Sequence, residues 1–382
     1  MKNYQELNVN KTSSSFNNEN QILKSSEQIK VFVDNKHNYI EYFDWIRIYS
    51  SFGVILIHVS AQNWYITFPG QYEWEVFNFY DSIVRWSVPE FFMISGALFL
   101  NKPSSIKKIF KKNIVKIGIS FIFWSLVYCI KEKFIKNLKL KDFVLQFMVG
   151  HYHLWFLFSI SKLYMFVPFL LLIIENKIIL NYFLILSFIS TFILRNILLY
   201  SKYFINKDII YLIEKIYNRL NIKYLTDEIF YFIFGYYLNK INTKNIIIEL
   251  IIYFFSIIGM IFGAKISSYI SNKEKKRISD FYNHFSIHVL IQSIAIFIFF
   301  KNYFNNLCFN KKLKKLIKNF GNYTFGIYLI HPLILEELNR IFNYNSMSFE
   351  PIFNVIFLSF IVFLFSLIII IFLKKTIFKI FI

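Results

Sequence analysis

A bundle of transmembrane α-helices is the fold class that this sequence predicts, and three observations predict it. Of the 382 residues, 56% are hydrophobic and only 17% are charged. The charged residues fall in clusters between long apolar runs. Each run approaches the ~20 mostly apolar residues that one helix needs to cross a bilayer. Composition and pattern together predict an all-α, polytopic membrane protein.

About ten segments qualify as candidate spans by length and apolar character. The sixth is the shortest and contains Tyr, Glu and Gly, which makes it the weakest candidate. No internal repeat relates the segments to one another. The ten segments are 46–64, 82–100, 114–130, 154–174, 178–199, 226–239, 246–264, 284–300, 320–338 and 352–373.

Loop charges predict the orientation of the bundle, because cytoplasmic loops carry an excess of Lys and Arg. The loop 65–81 has acidic residues and no Lys or Arg, whereas the loop 101–112 has five Lys and no acid. With an even number of spans, both termini are expected in the cytoplasm, with the bundle in a bacterial cytoplasmic membrane. Two outer segments, 131–152 and 265–283, are rich in basic residues against this rule. Residues 132–149, within the first, are predicted to form an amphipathic surface helix.

The first 40 residues differ from the rest of the chain. They are polar, rich in Asn, Ser and Lys, and lack the apolar core of a signal peptide. Residues 1–40 are therefore predicted to be a disordered cytoplasmic tail, and residues 41–382 a ten-helix transmembrane domain. The cysteines Cys129 and Cys308 lie in separate segments, so no structural disulfide is expected.

The net charge of +20 could indicate nucleic acid binding. Most of the Lys residues, however, stand in short runs between apolar segments, where they act as anchors at lipid headgroups. The lipid bilayer, and no nucleic acid, is therefore the expected partner of these charges.

Ionisable groups inside a bilayer cost about 2.5 kcal/mol or more each, so those that remain are candidates for function. In the first span Arg47 and His58 are eleven residues apart, close to three helical turns, and share one face. Asp44 lies one turn before Arg47 and can pair with it. The structural alternative is that Asp44 and Arg47 mark the helix start and that His58 is a packed histidine.

The second span contains Arg85 and Glu90, with Pro89 between them expected to kink the helix. The pair Ser95–Gly96 allows another helix to approach closely. A packing kink with Arg85 at the interface is the alternative to a binding role for Arg85 and Glu90.

Further histidines stand at the predicted outer ends of later spans. His151 and His153 precede Trp155, whose ring suits stacking on a sugar, although an interfacial aromatic is the alternative. The two histidines lack a third ligand, so no metal site is predicted. His331 falls at a depth similar to that of His58, and Pro332 after it is expected to disturb the helix.

Three polar residues at the start of the eighth span share one helix face. His284, His288 and Gln292 follow the spacing i, i+4, i+8. We interpret them as a solvated outer helix end. Fingerprints of soluble enzymes, such as a phosphate loop or a nucleophile elbow, are absent from the sequence.

At these residues the sequence resembles the membrane-bound acyltransferase 3 family, over about residues 41–373. The family carries Arg, ten residues, then His in its first span, as Arg47 and His58 do. Further matching segments are VPEFFMISG from Val88 to Gly96, HLWFL from His153, and GIYLIHP ending at Pro332. The stand-alone members that O-acetylate surface polysaccharides are the most similar type. Glu90 departs from the family, whose members more often have an apolar residue there.

The resemblance implies an acyl donor such as acetyl-CoA at the cytoplasmic face and a sugar hydroxyl as acceptor. Arg47, held by Asp44, is then expected to orient the donor. His58 is expected to act as general base or to carry the acyl group itself. The remaining candidates are expected to bind the acceptor or to stabilise the developing oxyanion; these are Arg85, Glu90, His153, Trp155 and His331.

Two other functions are compatible with many buried polar groups. A transporter or flippase for a lipid-linked sugar would need them, but it does not predict the spacing of Arg47 and His58, and many transporters show an inverted repeat. A sensor or scaffold without turnover would leave the buried histidines without a role.

Overall fold

The computed structural model describes residues 40–382 except 102–104, 137–138, 205–206, 221–222 and 305–308. The predicted disordered tail and Cys308 lie outside the described residues. Within the described part, every regular element is a helix. The main helices are α1 (Glu41–Trp64), α2 (Tyr72–Ile83), α3 (Ser87–Phe99), α4 (Val115–Lys136), α5 (Leu140–Val149), α6 (Trp155–Glu175), α7 (Lys177–Phe188), α8 (Arg195–Phe204), α9 (Lys207–Leu220), α10 (Lys223–Lys240), α11 (Ile246–Glu274), α12 (Ile287–Phe299), α13 (Lys311–Phe342) and α14 (Pro351–Leu373).

The all-helical fold is confirmed, and its long apolar helices make the chain a multi-pass membrane protein. Among the residues that the structure describes, six stretches are long and apolar enough to cross a bilayer. The other four predicted spans also fall on helices, namely α1, α2 with α3, α10 and α13. That about ten segments cross the bilayer, with both termini in the cytoplasm, stays a prediction. The six stretches are Ile106–Ile135, Leu140–Glu175, Lys177–Phe204, Ile246–Glu274, Asp280–Phe304 and Pro351–Leu373.

The kink predicted at Pro89 is wrong. The helix breaks earlier, between Ile83 and Ser87, and Pro89 lies in the first turn of α3. Proline is tolerated there because the N–H groups of the first turn have no partner inside the helix. The break therefore divides the second predicted span into α2 and α3.

The predicted surface helix 132–149 is also divided. Helix α4 continues to Lys136, and α5 then covers Leu140–Val149 as a separate helix. None of the side chains of α5 is buried, and several large apolar ones are well exposed, as expected for a helix in contact with lipid. Helix α4 thus continues past the end of its apolar run into a segment rich in charged residues.

Helices α3 and α10 make the closest contact between two helices. Gly96 of α3 faces the main chain of Phe232, and Gly235 of α10 faces the main chain of Met93. A methyl group at either glycine would collide with main-chain atoms, which have no room to move. The close approach predicted at Gly96 is confirmed, as is typical of small residues in membrane helices.

Helix α1 is the centre of the bundle and positions the candidate site. It packs against α2, α3, α13 and α14, and most of its residues are buried. Gly53 of α1 allows Ser87 to approach, since a Cβ at position 53 would lie 2.9 Å from the Cβ of Ser87. Polar side chains on α1 are therefore surrounded by protein, and α1 can present Arg47 and His58 to one interior space.

Candidate active site

A cavity of about 400 Å³ runs beside α1 and is lined by both Arg47 and His58. These residues are about 16 Å apart along the helix axis, at 1.5 Å per residue. The volume lies in the range of pockets for small-molecule ligands. Much of the wall is aromatic, formed by Phe91, Phe99, Phe156, Tyr164, Phe325 and Tyr328.

Asp44 fixes Arg47 at one end of the cavity. Nη1 of Arg47 donates to Oδ1 of Asp44 at 2.6 Å, and the Asp44 side chain is almost fully buried. Gly321 of α13 packs directly on the Asp44 carboxylate, where any larger residue would collide with it. The predicted pair is confirmed, and it leaves the guanidinium partly exposed at the cavity.

Two lysines that the sequence interpretation did not single out also line the cavity. Lys112 and Lys116 stand one helical turn apart, with Asn113 between them. The ammonium of Lys116 lies 5.5 Å from the ring centroid of Phe325, one turn beyond Gly321. This places Lys116 near the Arg47 end. The i, i+4 spacing of Lys112 and Lys116 can be read from the sequence, but it is not distinctive in a chain with so many lysines.

No carboxylate lines the cavity among the described residues. The Arg47 end, defined by Arg47, Lys112, Asn113 and Lys116, is therefore strongly positive. Phosphate groups are the natural ligands of such a cluster, because Lys and Arg both donate charge-assisted hydrogen bonds to them.

Three histidines from three helical elements meet near the other end of the cavity. The ring centroids of His58 and His331 are 5.1 Å apart, and those of His153 and His331 are 5.6 Å apart. His58 and His153 line the cavity, whereas His331 is fully buried behind them. The structure thus brings together His58 and His331, which the sequence placed at similar depth, and adds His153 to them.

The ring of His331 is held by main-chain oxygens of its own helix. Nδ1 of His331 lies 2.8 Å from the oxygen of Tyr328 and 3.2 Å from that of Ile327. A carbonyl oxygen only accepts, so Nδ1 carries the hydrogen and Nε2 has a lone pair. That Nε2 is buried and has no hydrogen-bond partner among the described residues.

Pro332 explains why the oxygen of Tyr328 is available. In a regular helix the N–H of residue 332 would donate to it, but proline has no N–H. Helix α13 nevertheless continues from Lys311 to Phe342. One residue further on, the hydroxyl of Tyr128 donates to the oxygen of Leu329 at 2.9 Å and accepts from the N–H of Leu333 at 3.2 Å. The disturbance predicted at Pro332 is thus local, and a neighbouring helix compensates for it.

Trp155 stands at the mouth of the His58 end. It lines the cavity and is 41% exposed, so part of its ring remains open to a ligand. Its other neighbour is His284, whose ring centroid is 6.0 Å away in a stacked orientation. An aromatic face beside histidines is suitable for binding the apolar face of a sugar ring while the histidines bind hydroxyl groups.

Arg85 and Glu90 do not line the cavity. Arg85 pairs with Asp81 one turn away, and its guanidinium lies 5.2 Å from the ring centroid of Tyr282. Glu90 is fully buried, and neither carboxyl oxygen has a hydrogen-bond partner among the described residues. Helix α3 instead presents Val88, Phe91, Ser95 and Phe99 to the cavity.

The interpretation of the start of the eighth span as solvated is wrong. His288 is 7% exposed and Gln292 is fully buried. His288 packs against Gly259 and Gly263 of α11, where an added methyl group would lie 2.7 Å from its Cβ and 2.5 Å from its Nε2. The helix start is covered because α11 approaches it closely through its glycines.

The arrangement provides a positive end for an anionic group and an imidazole end for a proton or an acyl group. Within the described residues, no group of three or more His, Cys, Asp and Glu side chains could hold a metal ion. The His58 end therefore offers nitrogen lone pairs and ring faces as its chemical groups.

Comparison with known proteins gives one match. The family model described as an acyltransferase domain matches residues 40–371, which is most of the chain. No curated protein matches the chain, and no solved structure does.

Proposed function

Because the chain belongs to the acyltransferase 3 family, we propose that it is an integral-membrane O-acyltransferase that moves an acyl group from acyl-CoA to a sugar hydroxyl. The acyl group is acetyl, and acetyl-CoA is the donor. The acceptor is a cell-surface polysaccharide or its lipid-linked precursor, reached from the outer face of a bacterial cytoplasmic membrane.

One observation carries this proposal: a single cavity contains both Arg47 and His58, with a positive cluster at the first and histidines at the second. A donor of this class has phosphates at one end and a thioester at the other, so its two ends match the positive end and the histidine end of the cavity. Bound with its phosphates at the Arg47 end, it directs its thioester toward His58.

The reaction needs a base and a place for the leaving group. His58 removes the proton of the acceptor hydroxyl as its oxygen attacks the thioester carbonyl carbon. The C–S bond then breaks, an ester C–O bond forms, and the proton passes from the imidazole to the departing sulfur. In the covalent variant, the imidazole of His58 carries the acyl group between the two steps.

The other residues bind and orient the substrates. Arg47, fixed by Asp44, and the two lysines hold the donor, while His153 and Trp155 hold the sugar. His331 supports the ring of His58 from behind. Arg85, paired with Asp81, shapes the outer end of the site without lining the cavity. Glu90 influences the acceptor only through the packing of α3, because it does not touch the acceptor.

The test is acetyl transfer from radiolabelled acetyl-CoA to surface glycans in cells with matched expression. We expect His58→Ala to reduce transfer by about a hundredfold or more, the range for loss of a general acid–base group. His288→Gln is the matched control, because His288 is a buried histidine outside the cavity.

Full activity of a folded His58→Ala variant would remove His58 from the mechanism. Absence of label with the wild-type protein would direct the test to other acyl donors. If no acyl donor gave label, transport of a lipid-linked sugar would replace acyl transfer as the proposed function.

A further inference from the structure

A chain of hydrogen bonds leads away from His153 to a carboxylate that the proposed mechanism does not use. Nδ1 of His153 lies 3.0 Å from Nδ1 of His151, and Nε2 of His151 lies 3.1 Å from Oε1 of Glu336. His151 and Glu336 are distant in sequence, on the segment before α6 and on α13. The contact therefore exists only in the folded protein.

His151 is fixed on both sides. Its ring is stacked on that of Tyr128, with centroids 4.1 Å apart and planes 11° from parallel. Only about a tenth of its side chain is exposed. A ring held this way has one orientation, so each of its nitrogens keeps one partner.

The carboxylates and cations around Glu336 pair with one another without a charge on His151. Glu336 already pairs with Lys131, whose ammonium also lies 3.3 Å from Glu337. Glu337 pairs in turn with Arg340. The two carboxylates and the two cations of these four side chains balance in charge.

A neutral imidazole has one N–H, and its position follows from the partners. The carboxylate of Glu336 only accepts, so the hydrogen of His151 is on Nε2. Nδ1 of His151 is then an acceptor, and the hydrogen in the contact between the two Nδ1 atoms belongs to His153. Nε2 of His153 is left with a lone pair.

The nitrogen with the free lone pair belongs to a residue of the cavity wall. Nε2 of His153 is buried and has no partner among the described residues, and His153 lines the cavity beside Trp155. The position of the main chain is also fixed, because the hydroxyl of Tyr328 donates to the oxygen of His153 at 2.5 Å.

We propose that Glu336, acting through His151, is a positioning residue that keeps Nε2 of His153 unprotonated, so that it accepts a hydrogen bond from a hydroxyl of the acyl acceptor. This inference rests on the proposed function for the identity of the ligand. The tautomer itself does not depend on that function, and the experiment examines the two separately.

Glu337 is a matched control for Glu336. The two are adjacent on α13 and share Lys131, but His151 contacts only Glu336 among them. Replacing either by Leu removes one carboxylate from the same cluster. Only Glu336→Leu, however, removes the acceptor of the His151 hydrogen. His151→Phe is a second test, since it keeps an aromatic ring on Tyr128 and removes both nitrogens.

The kinetic measurement uses the full chain in membranes, with acetyl-CoA and the glycan acceptor varied in turn. We expect Glu336→Leu and His151→Phe to lower kcat/KM for the acceptor about tenfold to a hundredfold, the range for partners that orient a histidine. The KM for acetyl-CoA and the behaviour of Glu337→Leu are expected to stay within about twofold of wild type. Equal losses in the two Leu variants would overturn the proposal.

The second measurement needs no activity. Nitrogen NMR of purified protein with labelled histidine separates protonated from unprotonated ring nitrogens, and His153→Gln identifies the signals of His153. We expect a protonated Nδ1 and an unprotonated Nε2 in the wild-type protein, and loss of this pattern in Glu336→Leu. A protonated Nε2 in the wild type would overturn the proposal, whereas lack of transfer with the expected tautomer would overturn only the proposed function.

Discussion

Pro332 has an effect that extends to the neighbouring residue. Without an N–H at position 332, the oxygen of Tyr328 lacks its helical donor, and His331 occupies that place with Nδ1 at 2.8 Å. Nε2 of His331 keeps its lone pair, and the ring is held with its centroid 5.1 Å from that of His58. A residue that weakens a helix thus orients a side chain.

Pro332→Ala is expected to separate stability from activity. The restored N–H competes for the oxygen of Tyr328 and releases the ring of His331, so we expect acyl transfer to fall about tenfold. Proline in a helix interior is about 3 kcal/mol less favourable than alanine, so the thermal midpoint is expected to rise. Thermal denaturation in detergent and the transfer assay measure the two effects.

Pro168 gives the control for this substitution. It also lies inside a helix, α6, but the residue before it is Val167, not a histidine. Pro168→Ala is expected to raise the thermal midpoint without the loss of transfer. If Pro332→Ala retained full transfer, the orientation of His331 by the Tyr328 oxygen would have no part in the reaction.

At the scale of single residues, the sequence predicted which side chains lie near one another better than how they are held. The eleven-residue spacing alone predicted that Arg47 and His58 share one helix face. The free-energy cost of an ionisable group inside a bilayer made His331 a candidate. The pairing of His151 with Glu336 could not be predicted, because it joins positions 185 residues apart in the chain. The position of Glu90 outside the cavity depends on the rotation of α3, which the break before Ser87 determines.

Among the helices, the contact of α3 with α10 is the one most sensitive to substitution. Gly96 and Gly235 each face main-chain atoms of the other helix. Since α3 carries Val88, Phe91, Ser95 and Phe99 into the cavity, separation of the two helices would also change the cavity wall.

Gly96→Ala is expected to lower the thermal midpoint and the yield of folded protein, because overpacking in a filled interior costs about 1–3 kcal/mol. Gly118→Ala is the control, since nothing lies within 4 Å of a methyl group added there. Alanine is favoured over glycine inside a helix, so this control is expected to keep or raise the midpoint. Similar midpoints for the two variants would show that α3 can move away from α10.

The helices themselves were predictable because long apolar runs separated by charged loops indicate spans directly. The ends of the helices were less predictable. The break between α2 and α3 contains no proline; there Trp86 donates to the oxygen of Ile83 and stacks on Tyr49 of α1. The continuity of α13 depends on the Tyr128 hydroxyl. A residue of another helix takes part in both places.

At the scale of the whole helical unit, residues 41–382, the cavity has two chemically different ends. Of its lysines, Lys112 precedes α4 and Lys116 lies in the first turn of α4, whereas its histidines belong to α1 and to the segment before α6. The two substrates can therefore bind to different helices, and substitutions at one end are expected to affect one substrate.

The double substitution Lys112→Glu with Lys116→Glu is expected to raise the KM for acetyl-CoA at least about tenfold, because it replaces two charge-assisted contacts by repulsion. The KM for the glycan acceptor is expected to stay within about twofold. Lys107→Glu with Lys111→Glu is the control, since these lysines belong to the same run but do not line the cavity. Equal effects of the two pairs would indicate a general surface charge effect rather than a donor site.

The contact between Gly96 and Gly235 also limits how this protein can change over generations. Every single-base change in a glycine codon that alters the residue introduces a side chain, and at either position that side chain would meet main-chain atoms that belong to the opposite helix. Neither glycine can be replaced without a clash. A substitution at one position cannot be compensated by a substitution at the other, because the clash is with main-chain atoms. Gly118 is free of this restriction, so among natural variants residue 118 is expected to vary more than residues 96 and 235.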